Sequence, residues 1–221
     1  MKNRILNKIG KLLLVINISL FIISFSISFV ILFRPFYYYH IGYLNIEKET
    51  GYTYNEIKES YDDVLNYLTL NKEFKTGKLA YSNEGYDHFK DCKILFIINF
   101  VILGVTGIII IIKKIYFNKI RVKGFNISFW SSITVLGLFI LILITAFIVG
   151  FDQCFKTFHN IFFLGKQNWL LDPNVDEIIR ILPEEYFMNC ALAVISLISI
   201  ISISIIIKEI TRNKKKNKPL Q

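Results

Sequence analysis

The chain has 221 residues, of which 53% are hydrophobic, with a mean hydropathy of +0.47 and a formal net charge of +9 at neutral pH. Soluble domains of this length are usually less apolar, so the composition argues against one. The positive charge would also suit a nucleic-acid-binding protein, but the basic residues flank apolar runs, which favours a lipid bilayer as the partner and argues against nucleic acid.

Four apolar runs are long enough to cross a bilayer, which takes about 20 mostly apolar residues. None of them contains a charged side chain, so each predicts a membrane-spanning helix. The first run exceeds the apolar segment of a secretory signal peptide, about 7–15 residues, and no small-residue cleavage site follows it. We therefore interpret the first run as a true span. The four predicted spans are residues 12–33, 94–112, 125–150 and 187–207.

The charged residues predict how the chain is oriented. Fifteen of the 26 basic residues lie before span one, between spans two and three, or after span four. Sixteen of the 17 acidic residues lie in loops 34–92 and 151–186. The positive-inside rule then places both termini and loop 113–124 in the cytoplasm, and the two long loops outside.

The loop after span one opens with Arg-Pro-Phe-Tyr-Tyr-Tyr-His, residues 34–40. An arginine and three tyrosines at the end of a span are typical of residues that anchor a helix at the membrane interface. We interpret His40, at the end of this stretch, as part of the same aromatic belt rather than of a functional site.

Residues 54–68 predict an amphipathic helix, with Thr53 or Asn55 as its cap. Such a helix lies on the membrane or over the ends of the spans. Packing within a small extracytoplasmic cap is an equally consistent interpretation. The apolar face consists of Ile57, Tyr61, Val64, Leu65 and Leu68.

A charged segment, residues 81–93, leads directly into span two. Ser82 is a candidate cap for a helix that runs through this segment into the membrane. His88 and Asp91 are three residues apart and therefore share one face of that helix. An acid beside a histidine can raise the pKa of the imidazole and orient the ring.

The loop after span three begins with an aromatic stripe at helical spacing, which predicts that the helix of span three continues out of the hydrocarbon region. His159 borders this stripe, between Phe155 and Phe163. The stripe consists of Phe151, Phe155, Phe158 and Phe162.

Further along this loop, Trp169 is a candidate interface anchor. Asp172 and the proline after it predict a turn. Asp176 or Asn174 is expected to start a short helix over residues 175–182.

Spans two and three are joined by a short loop and are expected to pack as antiparallel neighbours, with axes roughly 8–10 Å apart. His88 and His159 lie just beyond the outer ends of these two spans, so we expect them to face each other across a cleft. A lone histidine on an aromatic face is usually a packing residue. Two that converge from separate loops indicate an acid–base site.

These features predict an all-α membrane protein, with four transmembrane helices and a small extracytoplasmic cap built from loops 34–92 and 151–186. We expect residues 1–221 to form a single multi-pass integral membrane domain.

The two loop segments resemble the signatures of a bacterial integral membrane family, the lipoprotein intramolecular transacylases (Lit). Residues 81–93 match the family pattern Ser-x-x-Glu-x-x-His-x-x-Asp-Val-Lys, except that Gly85 replaces its acid and Cys92 its valine. We expect Gly85 to loosen the helix before the histidine and Glu84 to substitute for the acid. Residues 151–187 resemble the second signature of the family, in which Leu182 replaces a phenylalanine. The positions that match it are His159, Trp169, Asp172, Pro173, Asp176, Pro183, Glu184 and Phe187.

The resemblance implies an acyltransferase of the bacterial cytoplasmic membrane whose site faces outward. Its substrates would be lipoproteins with an N-terminal diacylglyceryl-cysteine. One acyl chain would move from the glyceryl ester to the α-amine, giving an N-acyl, S-monoacylglyceryl lipoprotein. The resemblance implies His88 and His159 as the catalytic pair, with Asp91, Trp169 and Asp176 in support, and neither cofactor nor metal.

Histidine suits this reaction, because the α-amine has a pKa of about 8 and a base that works near neutral pH can deprotonate it. We expect His88 to be the base, oriented by Asp91, and His159 to donate to the oxyanion or the leaving group. The reverse assignment is nearly as consistent with the sequence.

Two other functions are compatible with the sequence. In a metal-dependent membrane hydrolase, zinc would be held by His40, His88, His159 and Asp91, although their spacing matches no compact ligand motif. A non-enzymatic accessory subunit would use the cap as a binding surface, and its histidines would then be dispensable.

The three cysteines carry little information, because their number is odd and no two form a C-x-x-C pair. Cys92 and Cys154 are both predicted near the outer surface. A disulfide between them is conceivable and is left open.

Overall fold

The computed structural model describes residues 2–116 and 126–216, and this part of the chain is helical, without β-strands. Eight α-helices and one short 3-10 helix follow one another in these residues. They are α1 (Lys2–Leu32), α2 (Arg34–Tyr43), α3 (Ile46–Thr50), α4 (Tyr54–Leu70), α5 (Asn83–Tyr116), α6 (Ile127–Val149), α7 (Phe151–Phe162), the 3-10 helix (Glu177–Ile181) and α8 (Glu184–Lys216).

Four of these helices, α1, α5, α6 and α8, are long and apolar enough to span a membrane. The four predicted spans are therefore confirmed as helices. α5 begins well before its apolar run, at Asn83, so the charged segment that contains His88 is helical from there onward, as expected. Most of the predicted inner loop 113–124, the predicted start of span three at Phe125 and the end of the basic tail, 217–221, lie outside the described residues.

The chain divides into two compact units. One draws on the chain up to Phe29, on Phe100–Ile144 and on the chain from Ala193 onward. The other contains Val30–Asn99 and Thr145–Leu192, and we call it the cap unit. All the candidate site residues belong to the cap unit.

The first unit packs mainly through apolar side chains, with Ile22, Val135 and Ile198 at its centre. Hydrogen bonds between helices supplement this packing. The Asn17 amide donates to the Thr106 carbonyl over 3.2 Å, and the Ser131 hydroxyl lies 3.2 Å from the Val15 carbonyl. Small polar residues at such positions let apolar helices approach closely.

The core of the cap unit forms around α4, and all five apolar residues of its predicted face are buried. Thr53 caps the helix in a capping box with Glu56, which decides between the two expected caps. The helix is therefore a packing element of the cap, with α2 and the 3-10 helix against it. Its fully buried partners are Tyr37, Ile41, Ile178 and Ile181.

The predicted aromatic belt of residues 34–40 is largely wrong. Tyr37 is completely buried, stacks on the ring of Tyr61 at 3.7 Å and donates to the Ile181 carbonyl over 2.7 Å. Arg34 forms an ion pair with Asp62 over 2.6 Å instead of reaching outward. The belt pattern failed because a cap packs directly on this segment, with Tyr37 in its core and Phe36 and Tyr38 packed against that core, while Tyr39 stays exposed.

His40 belongs to the same core. Its Nδ1 lies 2.6 Å from the Phe36 carbonyl, and its ring lies 4.3 Å from that of Phe36 and 5.6 Å from that of Tyr186. These contacts give His40 a packing role in the buried core of the cap unit, whereas the sequence predicted a place in the aromatic belt.

The predicted continuation of span three is also wrong, because α6 ends at Val149 and α7 begins separately at Phe151. Gly150 between them has φ +86° and ψ 154°. This region of backbone conformation is essentially restricted to glycine. The helix therefore breaks here, and α7 is an element of its own.

Candidate active site: a pair of histidines in the cap unit

The start of α5 is fixed by a carboxylate that is distant in sequence. Ser82 caps the helix by accepting from the Gly85 amide over 2.9 Å. The buried Asp176 accepts from the Ser82 amide over 2.7 Å and from its hydroxyl over 2.9 Å. A Cβ on Gly85 would collide with an oxygen of this carboxylate.

This arrangement bears on three expectations. Gly85 leaves room for the Asp176 carboxylate, and α5 is helical through this position. Glu84 is exposed and makes no hydrogen bond in the described part of the chain, so it does not take over the role of the missing acid. Asp176 is the N-cap residue of the short helix, as expected, but its carboxylate makes no capping hydrogen bond there and accepts from Ser82 instead. This helix is a 3-10 helix over Glu177–Ile181, shorter than expected. The turn at Asp172 is confirmed by the hydrogen bond from the Val175 amide to its carbonyl.

His159 is held on α7 by its backbone and by three aromatic rings. Its Nδ1 lies 2.7 Å from the Phe155 carbonyl. A carbonyl oxygen can only accept, so Nδ1 carries a proton and donates it there. The ring lies 4.2 Å from that of Phe155, 5.4 Å from that of Phe163 and 4.5 Å from that of Trp169. The neighbours Phe155 and Phe163 are those that the sequence predicts.

Trp169 therefore stacks on a histidine, where the sequence suggested an interface anchor. Its interplanar angle to His159 is 30°, and its buried Nε1 has no hydrogen-bond partner among the described residues. The side chain limits the space around His159 and shields the ring from water.

His88 approaches from α5, and its ring centroid lies 6.0 Å from that of His159 and 5.0 Å from that of Phe163. The predicted convergence of the two histidines is thus confirmed. His88 Nε2 lies 3.5 Å from the Cys92 sulfur. Its Nδ1 is buried and has no hydrogen-bond partner in the part of the chain that the structure describes.

Asp91 does not orient His88 by a direct hydrogen bond in the described structure. Its carboxylate accepts from Lys166 Nζ over 2.8 Å and from Asn168 Nδ2 over 3.0 Å. These contacts tie α5 to the loop after α7. An open polar cavity of about 450 Å³ lies at this point, lined by Asp87, Lys90, Asp91, Lys166, Gln167 and Asn168.

Both histidines lie outside the apolar spans, because His88 precedes Ile94, the first residue of its span, and His159 lies on α7. Burial and, to a smaller extent, the nearby His159 lower the pKa of His88 to about 4, although Asp91 opposes the shift. Burial also lowers the pKa of His159, opposed by the bond to the Phe155 carbonyl. Asp91 raises the pKa of His88, as expected, but burial lowers it by more. Both rings are neutral near pH 7.

The described residues contain no group of three or more metal-ligating side chains in position to share an ion. The three cysteines are free, so the disulfide between Cys92 and Cys154 is not formed. Cys92 contacts His88 instead, a neighbour that the four-residue spacing on one helix could have revealed. No sequence signal pointed to Lys166 or Asn168, because loop conformation brings them to Asp91.

The whole fold resembles solved structures of one protein, the membrane integral lipoprotein intramolecular transacylase Lit from Bacillus cereus. One structure has 28% sequence identity and a TM-score of 0.85, covering 96% of this chain and 97% of that chain. A second, of a variant in which a histidine is changed to alanine, has 28% identity and a TM-score of 0.82, covering 97% of this chain and 96% of that chain.

Among curated proteins, no sequence matches this chain. The sequence profile described as "Lipoprotein intramolecular transacylase Lit" matches residues 12–187, which is most of the chain and includes both histidine segments. The chain therefore belongs to the lipoprotein intramolecular transacylase (Lit) family.

Proposed function

We propose that this protein moves one acyl chain within a bacterial lipoprotein, from the glyceryl ester of its N-terminal diacylglyceryl-cysteine to the α-amine of the same cysteine. The product is an N-acyl, S-monoacylglyceryl lipoprotein. The pairing of His88 and His159, with ring centroids 6.0 Å apart, is the main support for the chemistry. Membership of the Lit family supports the substrate class.

The hydrogen bonds of His159 favour it as the base. Its Nδ1 proton is committed to the Phe155 carbonyl, so the neutral ring has its lone pair on Nε2. The low pKa of the buried ring keeps that lone pair available near neutral pH. We therefore reverse the assignment expected from the sequence, in which His88 was the base.

The reaction then proceeds by direct attack. The amine nitrogen bonds to the ester carbonyl carbon, and His159 Nε2 takes the proton from nitrogen. Negative charge develops on the carbonyl oxygen, where a hydrogen-bond donor stabilises the transition state. His88 is the hydrogen-bond donor to this oxygen, through its unpartnered Nδ1. The bond from carbon to the glyceryl oxygen then breaks, and the proton held on His159 Nε2 passes to the glyceryl oxygen, which leaves as a free hydroxyl.

No acyl-enzyme is required, because donor and acceptor belong to one molecule. Holding an ester and an amine in reactive contact is worth a large effective molarity, which supplies about 7–11 kcal/mol of the barrier in well-oriented cases. The enclosing rings of Phe155, Phe163 and Trp169 keep bulk water from competing for the ester.

The surroundings suit a substrate with a lipid part and a peptide part. The exposed apolar residues of α7 and the turn after it would contact acyl chains and lipid. The open polar cavity at Asp91 gives the peptide a route into water. The distribution of charge supports a cap on the outer face of the cytoplasmic membrane. The exposed apolar residues are Phe158, Ile161, Phe162 and Leu164.

Mass spectrometry of the lipidated N-terminal peptide of an abundant lipoprotein tests this function. The bacterial host lacks its own N-acylating enzymes and is compared with and without this protein. N-acyl, S-monoacylglyceryl cysteine only when the protein is present would support the proposal. Unchanged diacylglyceryl cysteine, with the protein confirmed in the membrane, would reject it. Retained conversion in a variant with alanine at both histidines would reject their role and favour an accessory subunit.

A further inference from the structure

The Cys92 thiol is a feature of the site that the acyl transfer above does not use. Cys92 follows His88 by one helical turn on α5, and its sulfur lies 3.5 Å from His88 Nε2. A contact of this length suits a hydrogen bond to sulfur, which is larger than oxygen. The other ring nitrogen, Nδ1, is buried without a partner among the described residues.

The direction of this hydrogen bond determines which nitrogen of His88 carries the proton. If the thiol donates to Nε2, the neutral ring must hold its proton on Nδ1. If Nε2 donates to sulfur, Nδ1 is a bare acceptor. An imidazole lone pair accepts strongly and a thiol sulfur only weakly, so the first arrangement is the more stable. Burial raises the pKa of the Cys92 thiol, which lies before the apolar span, so the proton needed for donation stays on sulfur.

We propose that Cys92 is a positioning residue that donates its S–H to His88 Nε2 and thereby fixes the proton of His88 on Nδ1. That nitrogen becomes a hydrogen-bond donor with no competing partner in the described structure. Its catalytic consequence, donation to the developing oxyanion, rests on the proposed acyl transfer. The position of the proton does not, and it can be measured separately.

Nitrogen-15 NMR of histidine-labelled protein in lipid nanodiscs measures this proton directly, because protonated and bare imidazole nitrogens resonate far apart. The chain has only three histidines, so His40→Gln and His159→Gln variants assign the signals. The expected result for the wild type is a neutral His88 with a proton on Nδ1 and a bare Nε2. A proton on Nε2 or a charged ring near pH 7 would overturn the proposal.

The variants Cys92→Val and Cys92→Ser separate donation from packing. Valine fills the space without a donor and should give a mixture of the two tautomers. Serine keeps a donor and should retain the Nδ1 proton. Cys154→Val, which removes a free thiol that has no hydrogen bond to either histidine in the described structure, is the matched control. An unchanged tautomer in Cys92→Val would overturn the role of the thiol.

Kinetics with a synthetic diacylglyceryl-cysteine peptide then test the consequence. Losing one hydrogen bond of this strength should lower kcat about three- to tenfold in Cys92→Val and leave KM unchanged, with a smaller loss in Cys92→Ser. If the wild type shows the expected tautomer but converts no substrate, the acyl transfer fails while the inference about Cys92 stands. If the wild type converts the substrate but carries the His88 proton on Nε2, the inference about Cys92 fails while the acyl transfer stands.

Discussion

At the scale of single residues, the close approach of Asp176 to Gly85 explains why a glycine replaces the acid of the family pattern at this position. The helix that carries His88 lacks the acid of the family pattern at Gly85. In the space this leaves, Asp176, from a segment about 90 positions away, accepts from the amide and hydroxyl of the cap residue Ser82. A local pattern cannot reveal this, because a turn and a 3-10 helix bring Asp176 into place. The position of the cap at Ser82, in contrast, is local chemistry and was predicted correctly.

A Gly85→Ala substitution would normally stabilise a helix, but here we expect it to lower the free energy of unfolding by about 1–3 kcal/mol, since the new methyl group meets the Asp176 carboxylate. Asp176→Ala should cost about as much, because it leaves the Ser82 amide without its acceptor. In the double variant the methyl group has room, so the two costs should not add. Denaturation in detergent measures all three, and additive costs would contradict the contact.

The neutral histidines predict how activity depends on pH. His159 must be neutral to accept a proton, and burial keeps its pKa below the ordinary value of about 6.5. Between pH 7.5 and 6.5, kcat/KM should therefore fall only with protonation of the substrate amine, whose pKa is about 8, which is at most about tenfold per pH unit. A steeper fall should begin only at lower pH, as the ring becomes protonated. A pH–rate profile checks this, with His40→Gln as the control that should leave it unchanged, and a fall steeper than about tenfold per pH unit that begins above pH 7 would show that the base has no lowered pKa.

The stability of the fold should also depend on pH through the same two histidines. The unfolded chain takes up protons on His88 and His159 below about pH 6.5, whereas the folded chain resists until a lower pH, about 4 for His88. In this window the unfolded state binds more protons, so the free energy of unfolding should fall as the pH drops.

At the scale of helices, regular periodicity was predictable and its interruption was not. The face of α4 and its Thr53 cap follow from spacing and capping chemistry. The phenylalanine stripe of α7 also has helical spacing, and nothing in the pattern marks the break at Gly150, since glycine is tolerated within membrane helices. The tyrosines of α2 have the composition of an interface belt, and only tertiary packing shows that Tyr37 is a core residue instead.

Gly150→Ala tests the break between α6 and α7. No atom lies within 4 Å of a Cβ at this position, so the cost is purely conformational, about 1–3 kcal/mol for leaving the glycine-only region. We expect a lower thermal midpoint and a loss of conversion, because α7 carries His159. Gly137→Ala is the matched control, with open space but ordinary helical geometry, and it should be neutral or stabilising. Equal effects of the two substitutions would exclude a role for the break.

At the scale of the whole molecule, the number of spans followed directly from hydropathy, because apolar runs of about 20 residues have few other uses. The meeting of the two histidines could also be predicted, since both lie just beyond the same ends of two spans that are joined by a short loop. Their surroundings could not, because the cap is an irregular structure whose core and ion pairs depend on loop conformation. The orientation in the membrane rests on charge alone.

Thiol labelling in intact cells tests that orientation. Lys48 is exposed in the cap unit, and a Lys48→Cys variant should react with a membrane-impermeant reagent. A Lys119→Cys variant, in the predicted cytoplasmic loop, should react only after lysis. The wild type, with its three native cysteines, gives the background. Labelling of Lys119→Cys alone in intact cells would invert the topology and place the site in the cytoplasm.

The most direct test of the central claim is the rate at which the purified protein converts a synthetic diacylglyceryl-cysteine peptide, followed by mass spectrometry, in the wild type and in His159→Gln. Glutamine retains much of the volume and polarity of histidine but cannot take the proton. The account predicts conversion by the wild type and a loss of about 10²–10⁴-fold in the variant, at similar folded fraction. Conversion by His159→Gln at the wild-type rate would contradict it.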